Sequence, residues 1–301
     1  MEQGRLARWL VRGAGVAALL AAGAALAGPE PWQLNLSPGV TETARNAYEA
    51  HMLVLWICVA IGVIVFGAMA VAMFRFRKSR GAVAATWSHN TRAEVVWSVV
   101  PIVLLVIMAW PATAKLIAQY DTGDSEMTVK VTGYQWMWRY EILNYQGQAS
   151  GVNFVSRLHP DSDRVRQLRS GLNPAEVSDG ERNTYLLDVD RPLVLPTDTR
   201  IRFVITAADV VHAWWVPALG WKQDAIPGVI NEAWTNIRVA GTYRGQCAEL
   251  CGKDHAFMPI VVEAVPRAQF EQWLAQQQAA GAERLTRDDT RTAGAAPPDR
   301  G

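Results

Sequence analysis

The chain has 301 residues, enough for two domains of ordinary size; half of them are hydrophobic and only 19% are charged, against about 25% in a soluble domain. A net charge of +1 argues against nucleic-acid binding, and such a composition excludes disordered and collagen-like chains. Three cysteines cannot build a disulfide-stapled scaffold. Apolar residues concentrate in the first 120 positions, the pattern of a membrane anchor carrying a soluble domain.

Arg5, Arg8 and Arg12 precede a short apolar run over 13–26, and Ala25-Leu26-Ala27 supplies a small-x-small cleavage pattern. This predicts a signal peptide over 1–27; the run is short of the roughly 20 residues that a spanning anchor needs. An exported segment over 28–50 leads to a hairpin over 51–120, built from two long apolar runs at 52–74 and 95–114. Arg75, Arg77, Lys78, Arg80 and Arg92 lie between them, which puts that loop in the cytoplasm. The expected location is a bacterial inner membrane, crossed more than once, with the soluble domain on the periplasmic side. Glu94 stands where the second run enters the membrane. Such a carboxylate suits a helix N-terminus and is equally a candidate for proton entry.

From Met127 onward the pattern becomes short strands. Met127, Val129 and Val131 alternate with polar neighbours, as do residues 200–205, and 185–189, 230–239 and 259–265 read as further strands between Pro, Gly and Asp turns. The predicted fold is thus α+β: a transmembrane helix hairpin, then an all-β Greek-key barrel or sandwich over 121–275. Residues 144–183 are polar and weakly patterned, and are expected to form an insertion loop with at most one short helix. A terminal helix is expected over 268–278, and a disordered tail over 276–301.

The chemistry is concentrated near the end of the domain. Cys247, Glu249, Cys251, His255 and Met258 fall within twelve residues, and His212 precedes them in Asp209-Val-Val-His212. Thiolate, thioether and imidazole ligands together favour copper. Two cysteines exceed what a single blue-copper ion requires; they are able to bridge two ions, with one histidine for each. Alternatives attach to the parts: a Cys-x3-Cys disulfide, a Cys2His2 zinc site, a core histidine at 212, a gap-filling Met258. The whole set on one β-domain favours the copper reading.

At this point the sequence resembles subunit II of the haem–copper cytochrome c oxidases over most of positions 40–275. The resemblance rests on Gly133-Tyr-Gln-Trp136-Met-Trp138-Arg-Tyr140-Glu141, on Trp215-Val-Pro217 through Gly228, and on Tyr243-Arg-Gly-Gln-Cys247 through Ile260. It implies a cupredoxin-like barrel holding two copper ions, the copper A centre, with His212, Cys247, Cys251, His255 and Met258 as side-chain ligands and Glu249 as a carbonyl ligand. It further implies that the Glu249 carboxylate reaches a magnesium ion shared with the catalytic subunit, that Trp136 admits electrons from cytochrome c, and that Glu94 lies at the mouth of a proton path. The implied partners are cytochrome c and haem–copper subunit I. Without Cys-x-x-Cys-His, and with few histidines, no haem is expected on this chain.

Three positions depart from the family pattern: Ala213 where serine is common, Ile142 for tyrosine and Val229 for arginine. None is an implied ligand. The stretch 121–271 has 19 acidic and 15 basic residues, so docking of a basic partner must use local patches; Glu141, Asp190 and Asp209 are the candidates. The inserted segment brings Arg157, Arg164, Arg166, Arg169 and Arg182. Competing functions are a copper-free quinol-oxidase subunit, nitrous-oxide reductase, and an electron-transfer or copper-delivery module outside any oxidase. The intact ligand set opposes the first, five histidines in all the second, and the aromatic motif around Trp136 the third.

Overall fold

The computed structural model describes residues 25–27, 32–168, 178, 180 and 183–293. Most of the expected signal peptide, together with Arg169 and Arg182, lies outside them.

Two long helices come first, α1 Glu42–Arg75 and α2 Thr91–Tyr120. At about 1.5 Å rise per residue each exceeds a ~30 Å hydrocarbon core, so their ends project beyond it. Their large side chains point outward: Phe66 is 71% exposed and Trp110 85%. In water such a surface would aggregate; a bilayer satisfies it. Pro101 and Pro111 sit inside α2 without ending it. Lys115 reaches across to Glu49 at 2.7 Å, tying the two helices near the β-domain. At the other end Asn90 accepts from the Ala93 amide, while Glu94 Oε1 accepts from the Asn90 amide. Glu94 is thus engaged in a reciprocal cap of the kind that satisfies orphan donors at a helix start.

The remaining elements form two packed sheets. One has the order β4-β3-β2-β6-β9, from β2 Met127–Tyr134, β3 Met137–Tyr145, β4 Gln148–Ser156, β6 Ile201–Ala207 and β9 Asn231–Thr235. The other has the order β5-β11-β10-β7-β8, from β5 Leu193–Pro196, β7 His212–Val216, β8 Trp221–Ala225, β10 Gly241–Cys247 and β11 Pro259–Val265. The short strand β1, Ala25–Ala27, runs parallel to Gly241–Tyr243 on the stretch of β10 that β7 does not pair. Alternation of side chains sends Val129, Val131, Trp138, Tyr140, Phe203, Trp214, Tyr243 and Val262 into the shared core. Trp214 stacks on Trp221 at 5.1 Å, and Phe203 meets both rings.

Three expectations need correction. Residues 144–183 are not one loop: Gln148–Ser156 is strand β4, antiparallel to β3. Gln146 and Gly147, both with positive φ, make the tight turn that hairpins favour. Pro160–Leu168 then forms helix α3. Residues 184–187 form a turn rather than a strand, closed by Leu187 N–H donating to Thr184 O, with Leu186 at φ 60°. The expected tail is also helical for most of its length, since α4 spans Arg267–Ala293. Ala, Gln, Glu and Arg dominate it, all good helix formers. Phe270 and Leu274 of α4 enter the core, and Gln278 donates to Ser150 O, so the helix closes the seam between edge strands β4 and β5.

The hairpin is bolted to the β-domain at both helix ends. Thr41 caps α1 by accepting from Ala44 N–H, and the Thr41 and Thr43 hydroxyls both donate to Leu219 O at 2.8 and 2.7 Å. Gly220 must lack a side chain, because a Cβ there would lie 2.1 Å from Ala44 Cα. At the end of α2, Trp234 Nε1 donates to Ala118 O at 3.0 Å. Glu232 pairs with Arg202 and accepts from Thr122.

Candidate metal centre

β7 and β10 are neighbours, with Cys247 paired to Trp214. This brings His212, at the start of β7, against Cys247, at the end of β10. The chain then loops through Glu249 and Cys251 into a single 3-10 turn, His255–Phe257, and returns as β11 immediately after Met258. Strand adjacency and one tight loop therefore gather the residues that the sequence scatters.

Five side chains converge. Cys247 Sγ lies 3.9 Å from Cys251 Sγ and 3.9 Å from His212 Nδ1. Cys251 Sγ lies 3.4 Å from His255 Nδ1 and 3.5 Å from Met258 Sδ. The Glu249 carbonyl is 3.4 Å from Cys247 Sγ. His212, Cys247 and Cys251 offer ligand atoms within 4.8 Å of one another, all from buried residues. A sulfur separation of 3.9 Å is nearly twice a disulfide bond. It fits instead two thiolates sharing an ion at about 2.3 Å from each. Two sulfurs, two imidazoles, a thioether and a carbonyl exceed the four donors of a closed zinc site.

The surroundings set the orientation and charge of the donors. His212 Nε2 faces Asp209 Oδ1 at 2.9 Å, so a proton there is held by the carboxylate, and Nδ1 is the ring nitrogen turned toward the sulfur pair. Burial opposes the Asp209 charge, but His212 and the Gln135 and Val210 amides outweigh it and hold its pKa below the ordinary range. Burial likewise opposes the His212 charge, yet Cys247 and Asp209 raise its pKa. Of the two thiols, burial works against the Cys247 thiolate, but His212 and backbone groups at Glu249 and Ala213 lower its pKa. Cys251 is pushed up to about 12, by burial first and then by Cys247. The surroundings thus favour the thiolate at Cys247 and the neutral thiol at Cys251.

Tryptophans hold the candidate ligands from behind. Trp138, fully buried, donates from Nε1 to Met258 O at 3.2 Å and meets the His212 ring edge-on at 5.8 Å. Trp136 lies not on a strand but on the two-residue turn joining β2 to β3, half-buried at the rim. Its Nε1 donates to Cys251 O at 3.2 Å, Gln135 Nε2 donates to the same carbonyl at 2.9 Å, and the Lys253 ammonium lies 5.7 Å from its ring centre. A Cβ on Gly133 would come within 2.8 Å of the His212 ring. Sequence reasoning missed Gln135 and Gly133; the turn register between Tyr134 and Met137 is the signal that would have found them.

The remaining candidates lie elsewhere. The Glu249 side chain is exposed on the loop. Glu141 pairs with Lys130 at 3.0 Å and approaches Arg139 at 3.9 Å, while Asp190 accepts from the Arg157 amide at 2.7 Å. Asp209 is engaged with His212 and two amides, a supporting place in the site rather than that of a free surface charge. Glu94 is at the far end of α2.

A β-sandwich closed by a Cys-x3-Cys loop, with a histidine on the adjoining strand and a two-helix membrane anchor, defines a membrane-bound cupredoxin. Residues 127–265 match the family described as cytochrome C oxidase subunit II, periplasmic domain, and residues 29–114 match its transmembrane domain. The "Probable cytochrome c oxidase subunit 2" of Rickettsia felis is 36% identical over 249 residues, covering 83% of this chain and 73% of that protein. The Arabidopsis thaliana "Cytochrome c oxidase subunit 2" is 34% identical over 251 residues, covering 82% and 90%. Among solved structures, the periplasmic domain of subunit II of cytochrome oxidase from Bradyrhizobium japonicum is 35% identical, covering 53% of this chain and 98% of that one, with a TM-score of 0.42. The chain belongs to the cytochrome c oxidase subunit II family.

Proposed function

We propose that this chain is the electron-entry subunit of its oxidase, receiving electrons from cytochrome c and passing them to the haem–copper catalytic subunit, which reduces oxygen to water with proton pumping. The observation that carries this reading is the convergence of His212, Cys247, Cys251, His255 and Met258 on one sulfur pair. Bound by these residues, a pair of copper ions supplies one-electron chemistry shared over two metals. The protein's own work is to hold the donors before the metal arrives. Asp209 fixes the His212 ring, and Trp138 and Trp136 fix the backbone at Met258 and Cys251. Because such a preset cage need not rearrange with each redox change, little reorganisation accompanies transfer.

Trp136 is the proposed port, since its indole is partly exposed and its N–H bonds to a ligand's carbonyl. Lys253 beside it and the ion-paired state of Glu141 leave Asp190 the more open acidic docking candidate. The exposed Glu249 carboxylate is the proposed magnesium contact at the catalytic subunit, and Glu94 the proposed mouth of a proton path. The β-domain would face the periplasm of a bacterial inner membrane, with the basic loop after α1 in the cytoplasm.

Paramagnetic resonance of the copper-loaded chain tests the centre: hyperfine splitting from two equivalent coppers is expected, and a single-copper pattern would overturn it. Trp136→Ala should keep that spectrum while slowing electron entry from cytochrome c by orders of magnitude; an unchanged rate removes the port. Glu94→Gln separates proton entry from capping. An amide oxygen still accepts from Asn90 N–H, so slowed turnover with an unchanged melting temperature supports the proton role, and unchanged turnover leaves Glu94 as a helix cap.

A further inference from the structure

Helix α3, in the segment joining β4 to β5, has no part in the function as derived so far, yet it lies against the metal loop. The Arg166 guanidinium stacks on Phe257, with its central carbon 4.2 Å from the ring centre. The same group reaches Asp254 at 3.5 Å and is oriented by Asp163, one turn earlier in α3, at 2.8 Å. Asp254 and Phe257 bracket His255. Their turn has weak anchorage of its own: it contains no buried residue and no side chain caps its start. Two backbone bonds, His255 N–H to Gly252 O and Phe257 N–H to Asp254 O, hold its shape.

We propose that Arg166 is a positioning residue that clamps the His255 turn against the metal centre. A planar guanidinium can stack on Phe257 and pair with Asp254 at once, which a lysine ammonium cannot do. Stacking and ion pairing at a partly buried site each contribute modestly, but together they act on a segment that little else restrains. Helix α3 is thereby a brace on the loop that carries His255. It restrains the histidine that the sheet does not hold.

The proposal rests on His255 being a ligand, so its test uses two readouts on the full chain in detergent. Without metal, Arg166→Ala should speed amide exchange at His255 and Phe257 about tenfold, with exchange over 212–216 unchanged. With copper bound, release to a chelator should accelerate by a similar factor. Arg166→Lys, which keeps the charge near Asp254 without the stacking plane, should fall between. Exchange within twofold of the parent, or a rise shared equally with 212–216, overturns the clamp. Faster exchange with unchanged copper release upholds the clamp and overturns instead the ligand role of His255.

Discussion

His212 and His255 face the same sulfur pair from supports of opposite kind. His212 begins a strand, is fully buried, donates to a carboxylate and is packed by Trp138 and Gly133. His255 rides a single 3-10 turn, partly exposed, between Asp254 and Phe257, which an arginine from an insertion contacts. The difference teaches where the site is made by the fold and where it is added to it. The strand half cannot be disturbed without disturbing the sandwich, whereas the loop half is held by contacts that can vary on their own.

Glycine substitutions should expose this contrast most sharply. A Cβ on Gly245 would lie 2.0 Å from Trp215 O, wedging β10 from β7, so Gly245→Ala should cost about 3 kcal/mol in thermal melting. Gly252→Ala strains a φ of +120° and presses Gln135 and Trp136 at 3.1 Å. Its effect should be smaller, about 1–2 kcal/mol, and local to Trp136 fluorescence. Equal losses from both would dissolve the distinction.

Histidine replacements come next. Without metal, His212→Ala should destabilise the chain by about 2 kcal/mol, because it empties a buried place and removes the imidazole that Asp209 pairs with. His255→Ala should stay within about 0.5 kcal/mol. Both should lower copper loading, so calorimetry of the metal-free chain is the discriminating measurement.

Asp209→Asn should weaken the strand half by about 1 kcal/mol, with a pH signature. The Asp209 pKa is lowered in the fold, so its contribution is full above the ordinary value of 3.8 and is lost as pH falls through the lower folded value. The His212 pKa is raised, so its contribution is full below the ordinary value of 6.5 and is lost as pH rises through the folded value. In the metal-free chain the parent's advantage over Asp209→Asn should therefore be greatest between those two values. A pH-independent difference would show that the pair contributes shape rather than charge. Similarly small, Trp136→Phe removes one N–H bond to Cys251 O and should cost about 0.5 kcal/mol in melting.

Much of this was legible in the residues. The apolar runs, the alternation at Met127, Val129 and Val131, and the spacing from Cys247 to Met258 carried hairpin, sheet and the cluster of candidate donors, because each is a local pattern. Strand β4 escaped because only Val152 and Phe154 mark its inner face clearly amid Ser, Gly, Asn and Gln; the turn at Gln146-Gly147 was the available clue. Asp209 read as a surface charge, since its approach to His212 depends on a bend that no periodicity encodes. The clamp from Arg166 is long-range in sequence and was not readable at all. Arginines there looked like a basic loop, although two acidic partners and a ring absorb that one.

The threonine pair at the head of α1 has a mechanical consequence. Thr41 and Thr43 grip the carbonyl of Leu219, seven positions beyond His212, so the helix pivots at its β-domain end. A helix of 34 residues is about 51 Å long, and a tilt that grows from about 20° to 25° shortens its span along the bilayer normal by roughly 2 Å, while swinging its far end sideways by about 4 Å. Bilayers differ in thickness by a few ångströms, and helices adapt to them by tilting. With the β-domain end held at Leu219, the end at the basic loop is the one with more freedom to move in such an adjustment.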